Sequence, residues 1–167
     1  MASPDVADFL REVRLFQAFT DADRAALARA LRDRTLRKGQ VLLREGDPGE
    51  EMFLVRRGTV VVSKAVTGPV EQVLARMGPG DFFGEMSLFD RAPRSATIQA
   101  ESASDVTLLV LDRASLEALI EANPAAAASF FYALVQVFIE RLRNSTDLVA
   151  EVTRWGLEAT GLDVDTR

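Results

Sequence analysis

Residues 83–97 read FGEMSLFDRAPRSAT, and they set a carboxylate, Glu85, and a guanidinium, Arg94, on either side of a short apolar turn. Gly84 has no Cβ, so another group can approach its main chain closely. If EMSLFD forms a helical turn starting at Glu85, its free N–H groups and partial positive charge face the loop mouth and suit an anion. Arg94, following Pro93, adds a planar and permanently charged fork of the kind that holds phosphate. Glu85 would repel that phosphate, and its presence makes sense only if the ligand also carries a hydroxyl to donate, as a sugar does. Phosphate and sugar hydroxyl in one compact unit describe a nucleotide, and an apolar surrounding makes each such hydrogen bond costly to lose.

Composition removes most alternatives. Cys and His are both absent from the 167 residues, which excludes thiolate nucleophiles, disulfides, most zinc sites and the usual general base. A β-roll enzyme resembling the cupins fails on the same ground, because those metal sites rely on imidazole. No enzyme and no metal or cofactor beyond a regulatory ligand is expected. The net charge of −5 and pI near 4.9 disfavour direct nucleic-acid binding. The N-terminus lacks the basic start and apolar middle of a signal peptide, and no uncharged apolar run of about 18 residues occurs, so a cytoplasmic protein without a membrane span is expected.

The elements that must hold the loop follow from periodicity. DVADFLREVRLFQAF spaces its apolar residues by three and four, and TDADRAALARAL restarts behind a Thr20 N-cap with acids in the first turn. From about residue 34 to 111, short β-rich runs alternate with EGDPGE, TGP and GPGD turns. Asp112 then caps one helix, and Asn123-Pro124 separates it from a long last helix over 125–155, with Gly156 as its stop. The expected fold is one α+β domain: an N-terminal helical segment (1–33), an antiparallel β-roll, jelly-roll-like, with the loop at 83–97 (34–111), C-terminal helices (112–156) and a tail (157–167).

With these elements in order, residues 83–97 resemble the phosphate-binding cassette of cyclic nucleotide-binding domains. That family is shared by catabolite activator proteins, protein kinase A regulatory subunits and cyclic nucleotide-gated channels. The resemblance extends over about 10–146 and includes glycines at the roll turns, Gly39, Gly46, Gly58, Gly80 and Gly84. It implies that Gly84 and Met86 present backbone groups to ribose and phosphate, that Glu85 accepts from the ribose 2′-hydroxyl, and that Arg94 pairs the cyclic phosphate. Ser95 and the Ala96 amide would add neutral donors, Phe83 and Ser87 flank the same site, and Val62 and Leu74 would wall the base. The implied ligand is cAMP rather than cGMP, as the commoner bacterial ligand of the family.

In that family the last helix closes over the base and often pairs with its twin. Aligning on Asn123-Pro124 puts Arg141 and Leu142 over the base, whereas aligning on ERLRNST puts Ser145 and Thr146 there, and both alignments stand. Phe131, Val135, Phe138, Leu142, Ser145, Val149 and Val152 alternate by four and three, a stripe that fits packing on the domain or a homodimer. Few residues follow the last helix, so the expected protein is a stand-alone sensor whose effector is another molecule. The competing expectation is a non-binding scaffold or oligomerisation module on the same fold.

Overall fold

The computed structural model describes residues 4–67, 70–90, 92–101 and 103–160; the expected TGP turn and the end of the expected tail lie outside them. Helices α1 (Pro4–Glu12) and α2 (Asp21–Ala30) flank a 3₁₀ turn at Arg14–Phe16, and helices α3 (Arg113–Ala122) and α4 (Pro124–Ala159) close the chain. Between them lie β1 (Arg32–Leu36), β2 (Val41–Leu43), β3 (Glu51–Arg57), β4 (Val60–Thr67), β5 (Val70–Met77), β6 (Phe82–Phe83), β7 (Thr97–Ala100) and β8 (Val106–Asp112). They form two antiparallel four-stranded sheets, in the orders β1-β8-β3-β6 and β2-β7-β4-β5. This is the expected jelly-roll-like α+β architecture, and the five turn glycines all have positive φ.

The central strands of the first sheet, β3 and β8, are buried on both faces. Phe53, Val55, Leu108 and Val110 face the roll interior, while Met52, Leu54, Leu109 and Leu111 join Phe16 and Phe130 in the helical core. Full burial of such side chains contributes about 1.5–3 kcal/mol each, so this sheet ties two apolar clusters together, one inside the roll and one beneath the helices. Local caps set where the helices begin. Thr20 and Asp23 bond reciprocally at the start of α2, Asp112 accepts from the Ser115 amide at 2.8 Å, and Asn123 accepts from the Ala126 amide at 3.0 Å. The Asn123 side chain also donates to Asp23 at 2.5 Å, tying the α3–α4 elbow to α2.

Three boundaries differ from the sequence expectation. The first helical run breaks at Glu12, and Leu15 and Phe16 enter the core from a 3₁₀ turn. Strand β1 begins at Arg32, two positions before the expected edge of the roll; only its last residue, Leu36, is buried, so apolar alternation could not mark it. Helix α4 runs through Gly156 to Ala159, and the Thr160 hydroxyl bonds the carbonyls of Gly156 and Leu157. A glycine inside a helix costs about 1 kcal/mol, which the rest of this helix outweighs.

Only the first half of α4 packs on the domain, through Ala126, Phe130, Leu134 and Val137, with Ala127 also buried and Phe131 and Phe138 half-buried beside them. By length and composition α4 is apolar enough to cross a membrane, with a mean hydropathy of 1.4 in its most apolar window. About 28% of that window is buried in the domain, and the helix continues into Glu140, Arg141 and Arg143.

Candidate functional site

Arg94 is fixed first by its own backbone. Its amide donates to the Asp47 carbonyl and its carbonyl accepts from the Gly46 amide, each at 2.8 Å. The side chain then runs inward and is 5% exposed. Its Nη1 donates to the carbonyls of Glu51 (2.8 Å) and Gly84 (3.1 Å), its Nε has no partner, and its guanidinium carbon lies 5.7 Å from the centre of the Phe53 ring. No carboxylate among the described residues pairs with it: Glu51 is bonded to Arg32 and Glu85 to Arg141, each at 2.8 Å. Burial pushes the Arg94 pKa below the ordinary arginine value, opposed by the charges of Glu51 and Glu85.

Two glycines make the slot that this guanidinium occupies. A methyl group on Gly84, whose φ is +76°, would sit 2.8 Å from Arg94 Nη1 and 3.0 Å from the Glu51 carbonyl oxygen. A methyl group on Gly49 would overlap Arg94 Nε. Gly49 is a site residue that sequence reasoning missed. In EGDPGE it reads as one more turn residue, and only the folded chain brings Arg94 against it.

Glu85 is 4% exposed and starts the expected short helical turn, observed as a 3₁₀ turn at Met86–Leu88. Its carboxylate accepts from Arg141 Nη1 at 2.8 Å. Burial raises its pKa, while the Arg141 charge, its own backbone bond and Arg94 pull it down. Arg113, at the start of α3, donates to the Ser87 carbonyl at 2.8 Å and braces the turn from behind.

A raised carboxyl pKa means that the ionised form is less favourable in the fold than in the unfolded chain. The contribution of Glu85 to stability is therefore full below its unfolded value near 4.5 and is lost as pH rises through the raised folded value. Glu85→Gln is expected to remove that decline in the ligand-free protein. Melting temperature followed against pH checks it; equal slopes for wild type and variant would refute the assignment.

The loop, the roll and α4 enclose a cavity of about 730 Å³, within the range of small-ligand sites. Phe83, Gly84, Glu85, Met86, Ser87, Arg94, Ser95, Ala96 and Val62 all line it. From α4, Arg141, Leu142 and Ser145 line it together with Phe138, so residues from both alternative alignments face the same space. Two expected residues do not. Thr146 is exposed one position round the helix and bonds back to the Leu142 carbonyl at 3.0 Å.

Leu74 is 49% exposed on β5, because the register steps from Val62↔Ala75 to Ser63↔Val73 and leaves Leu74 as the extra residue of a bulge. The apolar wall is instead Val62, Leu43, Met77 and Ile98. Ile98 pairs directly with Val62, a register that one sequence does not reveal.

Fold and cavity together define a small-ligand receptor domain: a β-roll with one buried arginine aimed into an apolar space beneath its last helix. The sequence profile of the cyclic nucleotide-binding domain matches residues 33–123, and the chain belongs to that family, whose members are regulatory ligand-binding domains. It is 43% identical over 129 residues to a cyclic nucleotide-gated potassium channel of Mesorhizobium japonicum, covering 74% of this chain and 34% of the channel. It is 28% identical over 145 residues to a CRP-like cAMP-activated global transcriptional regulator of Mycobacterium tuberculosis, covering 87% of this chain and 62% of the regulator. The chain thus spans about a third of the channel and under two thirds of the regulator. Among solved structures, a cyclic nucleotide-binding domain from Methylobacillus flagellatus superposes with a TM-score of 0.76 at 28% identity, over 88% of this chain and 82% of that one.

Proposed function

We propose that this protein is a cAMP-responsive sensor that changes the placement of α4 on binding and thereby regulates an effector protein in trans. The observation that carries the reading is Arg94, a buried guanidinium with an unpartnered Nε and no carboxylate partner among the described residues. A buried charge is costly until an anion pairs with it, and a cyclic phosphate has the charge and the oxygens to do so. Glu85 receives the ribose 2′-hydroxyl, the Gly84 and Met86 backbone and the Ser95 and Ala96 donors complete the polar end, and Val62 with Ile98 holds the base. The proposed role is regulatory rather than enzymatic, it needs no metal or cofactor, and it belongs in the cytoplasm of a bacterium.

Transmission rests on differential affinity, since ligand shifts α4 only by binding one of its arrangements more tightly. Calorimetry with cAMP and cGMP, paired with hydrogen exchange along α4, tests both parts. The expected result is tighter binding of cAMP and changed protection in α4. Lack of binding by both nucleotides would end the sensor reading, and binding without a change in α4 would end the transmission part.

A second reading, an oligomerisation module, draws on the outer stripe of α4, where Val135, Leu142, Val149 and Val152 are 51–68% exposed. Light scattering separates the two. A constant oligomer with no nucleotide-dependent melting shift favours the module.

A further inference from the structure

Residues 140 and 141 are consecutive on α4, about 100° apart around its axis, and they grip two different parts of the domain. Glu140 receives a two-pronged bond from Arg14 of the N-terminal 3₁₀ turn, at 2.6 and 2.7 Å. Arg141 reaches the other way. Its Nη1 donates to the Glu85 carboxylate at 2.8 Å, its Nη2 donates to the Phe82 carbonyl at 2.7 Å, and its guanidinium carbon lies 4.8 Å from the centre of the Phe82 ring. From 142 to 156 every residue is exposed. Arg141 is therefore the last firm polar tie between α4 and the roll, and it is made to the same carboxylate that the proposed function assigns to the ribose.

Resting on that assignment, we propose that Arg141 is a positioning residue for the sugar site. By pairing with Glu85 it offsets the burial that opposes ionisation and aims the carboxylate as an acceptor, and it makes sugar recognition depend on α4 being docked. An ionised carboxylate only accepts hydrogen bonds, whereas a protonated one also presents an O–H of its own and binds a sugar hydroxyl less strongly. The groups around Glu85 are Arg141 from α4, Arg94 from the loop before β7, Asp90 on the cavity wall, and Arg113 from α3 through the Ser87 carbonyl. Arg141 is the largest charge effect favouring ionisation, and burial opposes it. Removing Arg141 raises the Glu85 pKa further. The acceptor is then lost at a higher pH than in wild type as pH falls.

The test compares cAMP with 2′-deoxy-cAMP by calorimetry between pH 5.5 and 8.5, for wild type, Arg141→Ala and Arg141→Lys. Wild type should prefer cAMP by about tenfold to a hundredfold near neutral pH, the range of a hydrogen bond to a charged acceptor. In Arg141→Ala that preference should shrink and recover as pH rises, with the pH of its loss higher than in wild type, and Arg141→Lys should restore part of it. A role confined to helix packing would weaken both ligands equally at every pH, with no recovery, and that outcome overturns the inference. A preference in Arg141→Ala identical to wild type overturns it as well, and both results leave the sensor reading intact. Wild type that binds neither ligand removes the sensor reading and this inference together.

Discussion

Arg94→Ala is expected to weaken cAMP binding by about a hundredfold to several thousandfold, because leaving a buried phosphate unpaired costs about 3–5 kcal/mol. The loss should appear in calorimetry as a change in affinity far larger than any change in melting temperature. In the ligand-free protein Arg94 is itself a buried cation without a carboxylate partner among the described residues, so its removal also relieves a cost. Against that relief stand the Glu51 and Gly84 carbonyls, which lose the Nη1 donor. Arg94→Lys should recover only part of the affinity, since an ammonium supplies a point charge without the planar fork. Unchanged affinity in Arg94→Ala would remove the residue from the phosphate role.

Gly49→Ala is the second large effect. The added methyl group meets the guanidinium of Arg94 rather than backbone, so the fold can adapt by moving the end of that side chain. Binding cannot adapt in the same way, because the displaced guanidinium no longer faces the cavity. Affinity is expected to fall by about tenfold or more, as for a misplaced charged hydrogen bond, while the melting temperature changes little. Gly84→Ala should do worse on stability, because its methyl group also meets the Glu51 carbonyl and its φ of +76° disfavours a side chain. A Gly49→Ala protein that binds like wild type would show that the slot has slack.

Much of the candidate site was legible because its residues are local. Glu85, Arg94, Gly84 and the apolar turn between them lie within one short segment, so residue type and spacing alone lead to the proposed phosphate and sugar roles. The strands were legible for a different reason. MFLV and LLVL are continuous apolar runs because β3 and β8 are buried on both faces, and the turns between strands are marked by glycine. Strand β1 was not, since a mostly exposed strand of charged residues has no period to read. Leu74 and Ile98 were misjudged and missed respectively because inward or outward direction depends on pairing register, and the bulge at Val62/Ser63 changes it.

The sequence by itself determined the fold class, the absence of cysteine and histidine chemistry, and the candidate loop at 83–97, because each depends on residue type or on short-range spacing. The tertiary structure decided the rest. It set Gly49 under Arg94, turned Leu74 outward, and brought Arg141 rather than Thr146 to the cavity with its guanidinium on Glu85. Each of these depends on segments far apart in the chain, through strand register or the docking of α4 on the helical core. No local pattern encodes such a contact, because its energy exists only once both segments have folded.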